Sequence, residues 1–331
     1  MRVQHAFKPE IRHSCRVLVI ASPGQGAQTP GFLTPWLEDP AAAAALAAYS
    51  EAAALDLVHF GTEADTESIR DTAVAQPLLV AAGLITGRAL LQDALASDFP
   101  GPDLWVGHSV GELTAAGLAG VLTSSEAVAL VAERGRAMAD ASAQTPTGMT
   151  AVLGGDRDEV LSALAAQGLT PANDNGPGQI VAAGTLKQLA ALADNPPAKA
   201  RLIPLSVAGA FHTTHMAPAI ERLALAAAHI SPADTVIPLV SNQDGAVVSD
   251  GAEVLRRIIG QVANPVRWDL CMDTLVARGI TGLLEVSPAG TLTGIARRAL
   301  KGVATFALKT PDQLTEARAF CAEHAEGRSD A

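Results

Sequence analysis

The sequence predicts an α/β fold, with a mostly parallel sheet in a large domain and a small second domain inserted into it. Three observations predict this. Arg16 to Ala21 is a short β-branched run that stops at Pro23-Gly24, as a buried strand stopped by a loop does. Leu104-Trp105-Val106 runs into Gly107-His108-Ser109-Val110-Gly111 and then into small residues from Leu113 to Ala119, a pattern of strand, tight turn and helix. From Thr147 the alternation changes to strand, helix, two strands, helix, strand. That is the ferredoxin-like βαββαβ unit, in about the length one such unit needs.

In chain order, Ala41 to Leu55 is an Ala-rich helix, and Gln76 to Leu95 has helical apolar spacing with Pro77 in its first turn. Ser124 to Ala141 follows as a helix, with Ser124 as its cap. The inserted unit has strands at Met149–Leu153, Leu169–Ala172, Gln179–Ala183 and Arg201–Val207, with helices at Arg157–Gln167 and Leu186–Ala193. Beyond Ala208, helices are expected at Pro218–Ala228, Ala252–Val262, Asp269–Arg278 and Leu292–Leu300. Strands are expected at Ile237–Val240, Leu283–Val286 and Thr305–Leu308. The domain boundaries that follow are a flexible tail at 1–16, a discontinuous large domain at 17–145 and 210–310, a small domain at 146–209, and a C-terminal tail at 311–331. The large domain reads as a hydrolase-like sheet carrying a nucleophile elbow.

Composition narrows the function. With 23 basic and 34 acidic residues the net charge is −11, which disfavours nucleic acid and anionic membrane as partners. The longest uninterrupted apolar runs, such as Leu78 to Ile85, fall far short of the roughly 20 residues of a membrane span. Cys15, Cys271 and Cys321 are odd in number and far apart, which fits free thiols in a reducing, cytoplasmic compartment, with Cys271 buried.

The chemistry centres on Ser109. Glycines on both flanks let the chain turn sharply and leave the hydroxyl exposed at the strand's end, while the helix that follows aims free N–H groups, Val110's included, at an oxygen beside it. A serine needs a base. His5, His13 and His324 lie near the ends, and His59 and His229 beside helix or loop ends. His108 adjoins the serine but points away around the turn, to pack or bond to backbone. His212 follows the small domain's last strand, where the chain re-enters the cleft, so it is the expected base. A metal pair of His212 with His215 is disfavoured, because no carboxylate or cysteine follows at ligand spacing. No acidic third member announces itself. Pro23 to Gln28 lacks the lysine of a phosphate loop, and its better use is a second N–H donor for an oxyanion.

PGQGAQ, GHSVGEL, ERGRAM, NDNGPGQ, the AFH of GAFHTTHM, and QVANPVRW stand in the order and spacing of the malonyl-CoA:acyl-carrier-protein transacylases. From about Val17 to Leu308 the chain resembles this FabD family, and its actinobacterial members in particular. The resemblance implies that Ser109 is acylated and that His212 is its base. Gln25 and Val110 would supply the oxyanion N–H groups, Arg134 would pair with the free carboxylate of malonate, and the main-chain carbonyl of Gln261 would hold the histidine ring. Malonyl-CoA and an acyl carrier protein are the implied partners, of a monomer that needs no cofactor or metal. His215 stands where many relatives carry leucine, and Gly209 precedes Ala-Phe-His, both at the expected edge of the acyl pocket. Two other readings share some of these residues: a serine esterase or thioesterase, and a non-catalytic carrier-binding module. A cleft arginine speaks against the esterase, because a buried guanidinium calls for an anion. For an acidic carrier the expected docking cations are Arg297, Arg298 and Lys301, with Arg256 and Arg257 as the alternative.

Overall fold

The computed structural model describes residues 16–92 and 101–325. The predicted N-terminal tail up to residue 15, with Cys15, lies outside the described residues, as does the end of the helix expected to close at Leu95.

The strands are Leu18–Ser22 (β1), Leu104–Gly107 (β2), Thr147–Gly154 (β3), Thr170–Asp174 (β4), Gln179–Thr185 (β5), Ala200–Pro204 (β6), Leu239–Val240 (β7), Val247–Val248 (β8), Val266–Arg267 (β9), Gly282–Glu285 (β10) and Ala304–Ala307 (β11). The helices are Pro40–Ala53 (α1), Leu57–Thr62 (α2), Thr72–Gln92 (α3), Gly111–Leu118 (α4), Ser124–Gln144 (α5), Arg157–Ala166 (α6), Leu186–Asp194 (α7), Ala217–Ala227 (α8), Gly251–Gln261 (α9), Trp268–Ala277 (α10), Thr291–Ala299 (α11) and Leu314–Ala325 (α12).

Two sheets organise the molecule. The first runs β11-β10-β1-β2-β7-β8, parallel throughout except for β8, which turns back against β7. Every residue of β1 and β2 is buried, as central parallel strands covered on both faces must be. Their register pairs Ser22 with Gly107, so the loop after β1 and the turn after β2 leave the sheet side by side. The second sheet runs β6-β3-β5-β4-β9. Its first four strands are antiparallel, whereas β9 joins β4 in parallel from a much later part of the chain. This two-residue strand, like β8, has too few residues to show a period in sequence.

α3 is the core helix. Among the described residues it alone is long and apolar enough to cross a membrane, and 78% of its most apolar window is buried inside the fold. It begins at Thr72, so Pro77 lies one turn inside and not at the start; the carbonyl that Pro77 cannot bond is Ala73's. The cap of α5 is Thr123 in place of the expected Ser124. Thr123 Oγ1 accepts the Glu126 N–H at 3.2 Å and Glu126 Oε2 accepts the Thr123 N–H at 2.8 Å, a reciprocal box.

The expected C-terminal tail at 311–331 needs correction. Residues 314–325 form α12, which packs on α3, β1 and β10. Ala317, Cys321, His324 and Ala325 are its buried side chains, on one face at spacings of three and four, a stripe that the intervening polar residues disguise.

Candidate active site

The turn after β2 is built by exclusion of side chains. A Cβ on Gly107 would lie 2.1 Å from the Gly111 carbonyl oxygen, and one on Gly111 would lie 2.3 Å from the carbonyl oxygen of Ser22. Both glycines are therefore set by packing. Between them Ser109 takes a left-handed conformation, φ 54°, which throws its hydroxyl off the end of the sheet.

His212 meets it from the other wall of the cleft. Ser109 Oγ lies 2.8 Å from His212 Nε2, and His212 Nδ1 lies 3.0 Å from the main-chain carbonyl of Gln261. That carbonyl can only accept, so Nδ1 carries the proton and Nε2 is left to receive one. Burial, reinforced by the positive charge of Arg134, lowers the imidazole's pKa to about 3. The ring is neutral at physiological pH. His212 is also left-handed, φ 61°, and its N–H donates to Val262 at 3.2 Å.

Arg134, on α5, is 2% exposed. Its Nη1 donates to Gln76 Oε1 at 2.5 Å, and its Nη2 lies 3.4 Å from Ser109 Oγ and 3.5 Å from Gln261 Oε1. All three are uncharged oxygens. Burial lowers the guanidinium's pKa to about 10, with Glu112 opposing, so it stays charged. No carboxylate forms an ion pair with it among the described residues.

The loop after β1 closes against the turn: a Cβ on Gly24 would come within 2.9 Å of the His108 carbonyl oxygen. Gln25 and Val110 both line the resulting cleft of about 290 Å³, and among the described residues the N–H of neither is bonded to a protein acceptor. The N–H of Ser109 is different, since Asn242 Oδ1 accepts it at 2.7 Å. Apolar walls come from Met138, Val207, Phe211 and Ile295.

The six sequence-predicted residues, Gln25, Ser109, Val110, Arg134, His212 and Gln261, thus converge, Gln261 through contacts with both Arg134 and His212. His215 and Gly209 do not line the cleft. His108 does; its ring packs on Trp268, as one of the two expected roles had it, and its Nε2 bonds the Asn175 side chain at 2.8 Å. Cys271 is buried as expected. No cluster of three metal-ligating side chains occurs among the described residues. Sequence reasoning missed Gln76, Glu112 and Asn242, polar residues whose roles come only from tertiary neighbours.

Residues 20–317 match the acyl transferase domain family, so fold and cleft are those of an acyltransferase. The chain is 52% identical to the malonyl CoA-acyl carrier protein transacylase of Mycobacterium tuberculosis over 301 residues, 91% of this chain and 99% of that one. The crystal structure of the M. tuberculosis protein superposes with a TM-score of 0.88 over the same shares of the two chains. The corresponding Escherichia coli transacylase is 32% identical over 89% of this chain and 96% of its own. A malonyl-transacylase solved in complex with its type II polyketide acyl-carrier protein, PlMCAT:AntF, is 29% identical with a TM-score of 0.85, covering 92% of this chain and 99% of that one. The chain belongs to the acyl transferase family and, within it, to the malonyl-CoA:acyl-carrier-protein transacylases of the FabD type.

Proposed function

We propose that the protein moves a malonyl group from coenzyme A to the phosphopantetheine thiol of an acyl carrier protein through a malonyl-serine ester, supplying fatty acid synthesis and, like the relative solved with a polyketide carrier, polyketide synthesis. Ser109 Oγ attacks the thioester carbonyl while its proton passes to His212 Nε2. The oxygen that gains charge lies between the Gln25 and Val110 N–H groups, donors each worth about 3 kcal/mol when such groups are deleted elsewhere. The C–S bond breaks, the CoA sulfur takes the proton from His212, and the malonyl ester remains. The carrier's thiol then gives its proton to His212 and attacks the ester carbonyl; the C–O bond to Ser109 breaks and Ser109 Oγ takes the proton back from His212. Arg134 holds the free carboxylate of malonate throughout.

The observation that carries this reading is Arg134: a buried cation 3.4 Å from the nucleophile whose hydrogen-bond partners are all neutral oxygens. A desolvated guanidinium in that state favours an acyl group with its own carboxylate. In the same reading the turn at Ser109 is a nucleophile elbow, residues 146–209 are the ferredoxin-like domain, 17–145 with 210–325 the acyltransferase domain closed by α12, and the protein is a cytoplasmic monomer.

Intact mass after mixing with malonyl-CoA tests it. A malonyl adduct that persists until a carrier protein removes it is expected, and Ser109→Ala should form none while remaining folded. Rapid loss of the adduct to water would make the protein an esterase, and a full adduct on the Ala variant would remove Ser109 from its role.

A further inference from the structure

Asn242 takes no part in the chemistry just described, yet it touches the nucleophile's backbone. It follows β7, the neighbour of β2, and is completely buried. Its Oδ1 accepts the Ser109 N–H at 2.7 Å and its Nδ2 donates to the Gly107 carbonyl at 2.7 Å, with Cys271 Sγ 3.7 Å from the same nitrogen. One amide therefore bridges residues 107 and 109. The backbone of Asn242 is pinned in turn: its N–H donates to Glu112 Oε1 at 2.8 Å, and its carbonyl accepts the Arg267 N–H of β9 at 2.8 Å.

We infer that Asn242 is the positioning residue of the nucleophile, clipping the Gly107–Ser109 turn so that Ser109 Oγ is aimed at His212 Nε2. The inference rests on the reading of Ser109 as nucleophile. A left-handed serine persists only where its surroundings over-determine it, and here the buried Asn242 amide does so. The clip needs an acceptor and a donor on one short side chain. A carboxylate would face the Gly107 carbonyl with a second acceptor, and an alanine would strip both the buried Gly107 carbonyl and the Ser109 N–H of this partner. Asn242 also occupies the Ser109 N–H, which directs the developing oxyanion to the Gln25 and Val110 donors.

The test is single-turnover acylation of the full chain by malonyl-CoA, followed by rapid quench and intact mass over a range of concentrations. Asn242→Asp keeps the size and the acceptor, and Asn242→Ala removes both functions. In both, the maximal acylation rate constant should fall on the order of 10²-fold, the scale of a misaimed reacting group. The half-saturating concentration and the final adduct per chain should stay near parental. A purely structural role gives the opposite split, a reduced adduct amplitude at a parental rate constant, and that result overturns the inference. So does a parental rate constant in Asn242→Asp, or loss of the folded state in both variants by circular dichroism. An adduct persisting in Ser109→Ala defeats the underlying reading; its absence there beside a parental Asn242→Asp defeats only the positioning role.

Discussion

At the seam where β4 meets β9, every arginine lies against a carboxylate. Arg157 reaches Asp174 at 2.6 Å and Asp269 at 3.6 Å, and Arg267 reaches Asp269 at 2.7 Å. In the cleft, Arg134 has two glutamine oxygens and one serine hydroxyl. The two regions satisfy the same side chain in different ways. At the seam opposite charges neutralise each other and join the second sheet to a strand from the other half of the chain. In the cleft neutral acceptors fix the guanidinium's direction without an ion pair, and in the proposed function its charge serves the substrate's carboxylate. A protein that wanted only stability at residue 134 would have done better with a carboxylate or an apolar side chain there.

The largest effects are expected in the cleft. His212→Ala should slow both half-reactions by about 10²- to 10⁴-fold, since in the proposed function one imidazole serves as base and acid in each direction; slowing of the CoA half alone, in rapid-quench experiments, would require a second base. The same residue has a pH signature. Its pKa is about 3 folded against 6.5 for the free side chain, so between these values the unfolded chain binds the extra proton. Stability should therefore fall as pH falls through that window. His212→Ala should flatten this part of the melting-temperature profile, and an unchanged slope would assign the acid lability to other groups.

Arg134→Ala should cost about 2–5 kcal/mol in malonyl transfer, the scale for truncating one partner of a desolvated ion pair. Acetyl transfer should be spared. Equal losses in kcat/KM for both acyl groups would make Arg134 a structural arginine like those of the seam.

Asp174→Ala is the converse experiment. Asp174 is buried but Arg157 is half-exposed, so the loss in unfolding free energy should be about 1–3 kcal/mol, discounted for solvent screening. The malonyl-to-acetyl ratio should not move. Denaturant unfolding and the two acyl assays together decide whether seam and cleft are as separate as their chemistry suggests.

The smallest effect is expected on the surface. Arg297 and Arg298 are exposed and form no ion pair among the described residues; Arg298 bonds Gln179, which lines the cleft. Arg256 and Arg257 are held by Glu253, and Arg257 also by Asp244, which weakens them as alternatives. Reversing charge at Arg297 and Arg298 should lower kcat/KM for an acidic carrier by less than about tenfold and flatten its salt dependence, with transfer to free pantetheine unchanged. An unaltered salt slope would place the carrier elsewhere.

The sequence by itself determined the order of the elements and where the chain must turn. The glycines of Gly107-x-Ser109-x-Gly111 and the changed alternation after Thr147 are local signals, so the turn after β2 and the strands β3 to β6 of the second sheet were legible from composition and spacing alone. The cap at Thr123 is legible too, since Thr123 and Glu126 spell the reciprocal box, but Ser124 beside it is a capping residue by type as well. Arg134, Gln25 and Gln261 emerged only through resemblance, because an arginine on a helix and a glutamine in a loop carry no mark of what they face. What tertiary structure alone decided was the alignment: a serine and a histidine, neither of them glycine, both held left-handed at 2.8 Å from each other across 103 residues of chain. Asn242 and Glu112 belong to the same layer. Their side chains bond groups more than 100 positions away, and a periodicity that reports only which face is buried has no means of naming the partner.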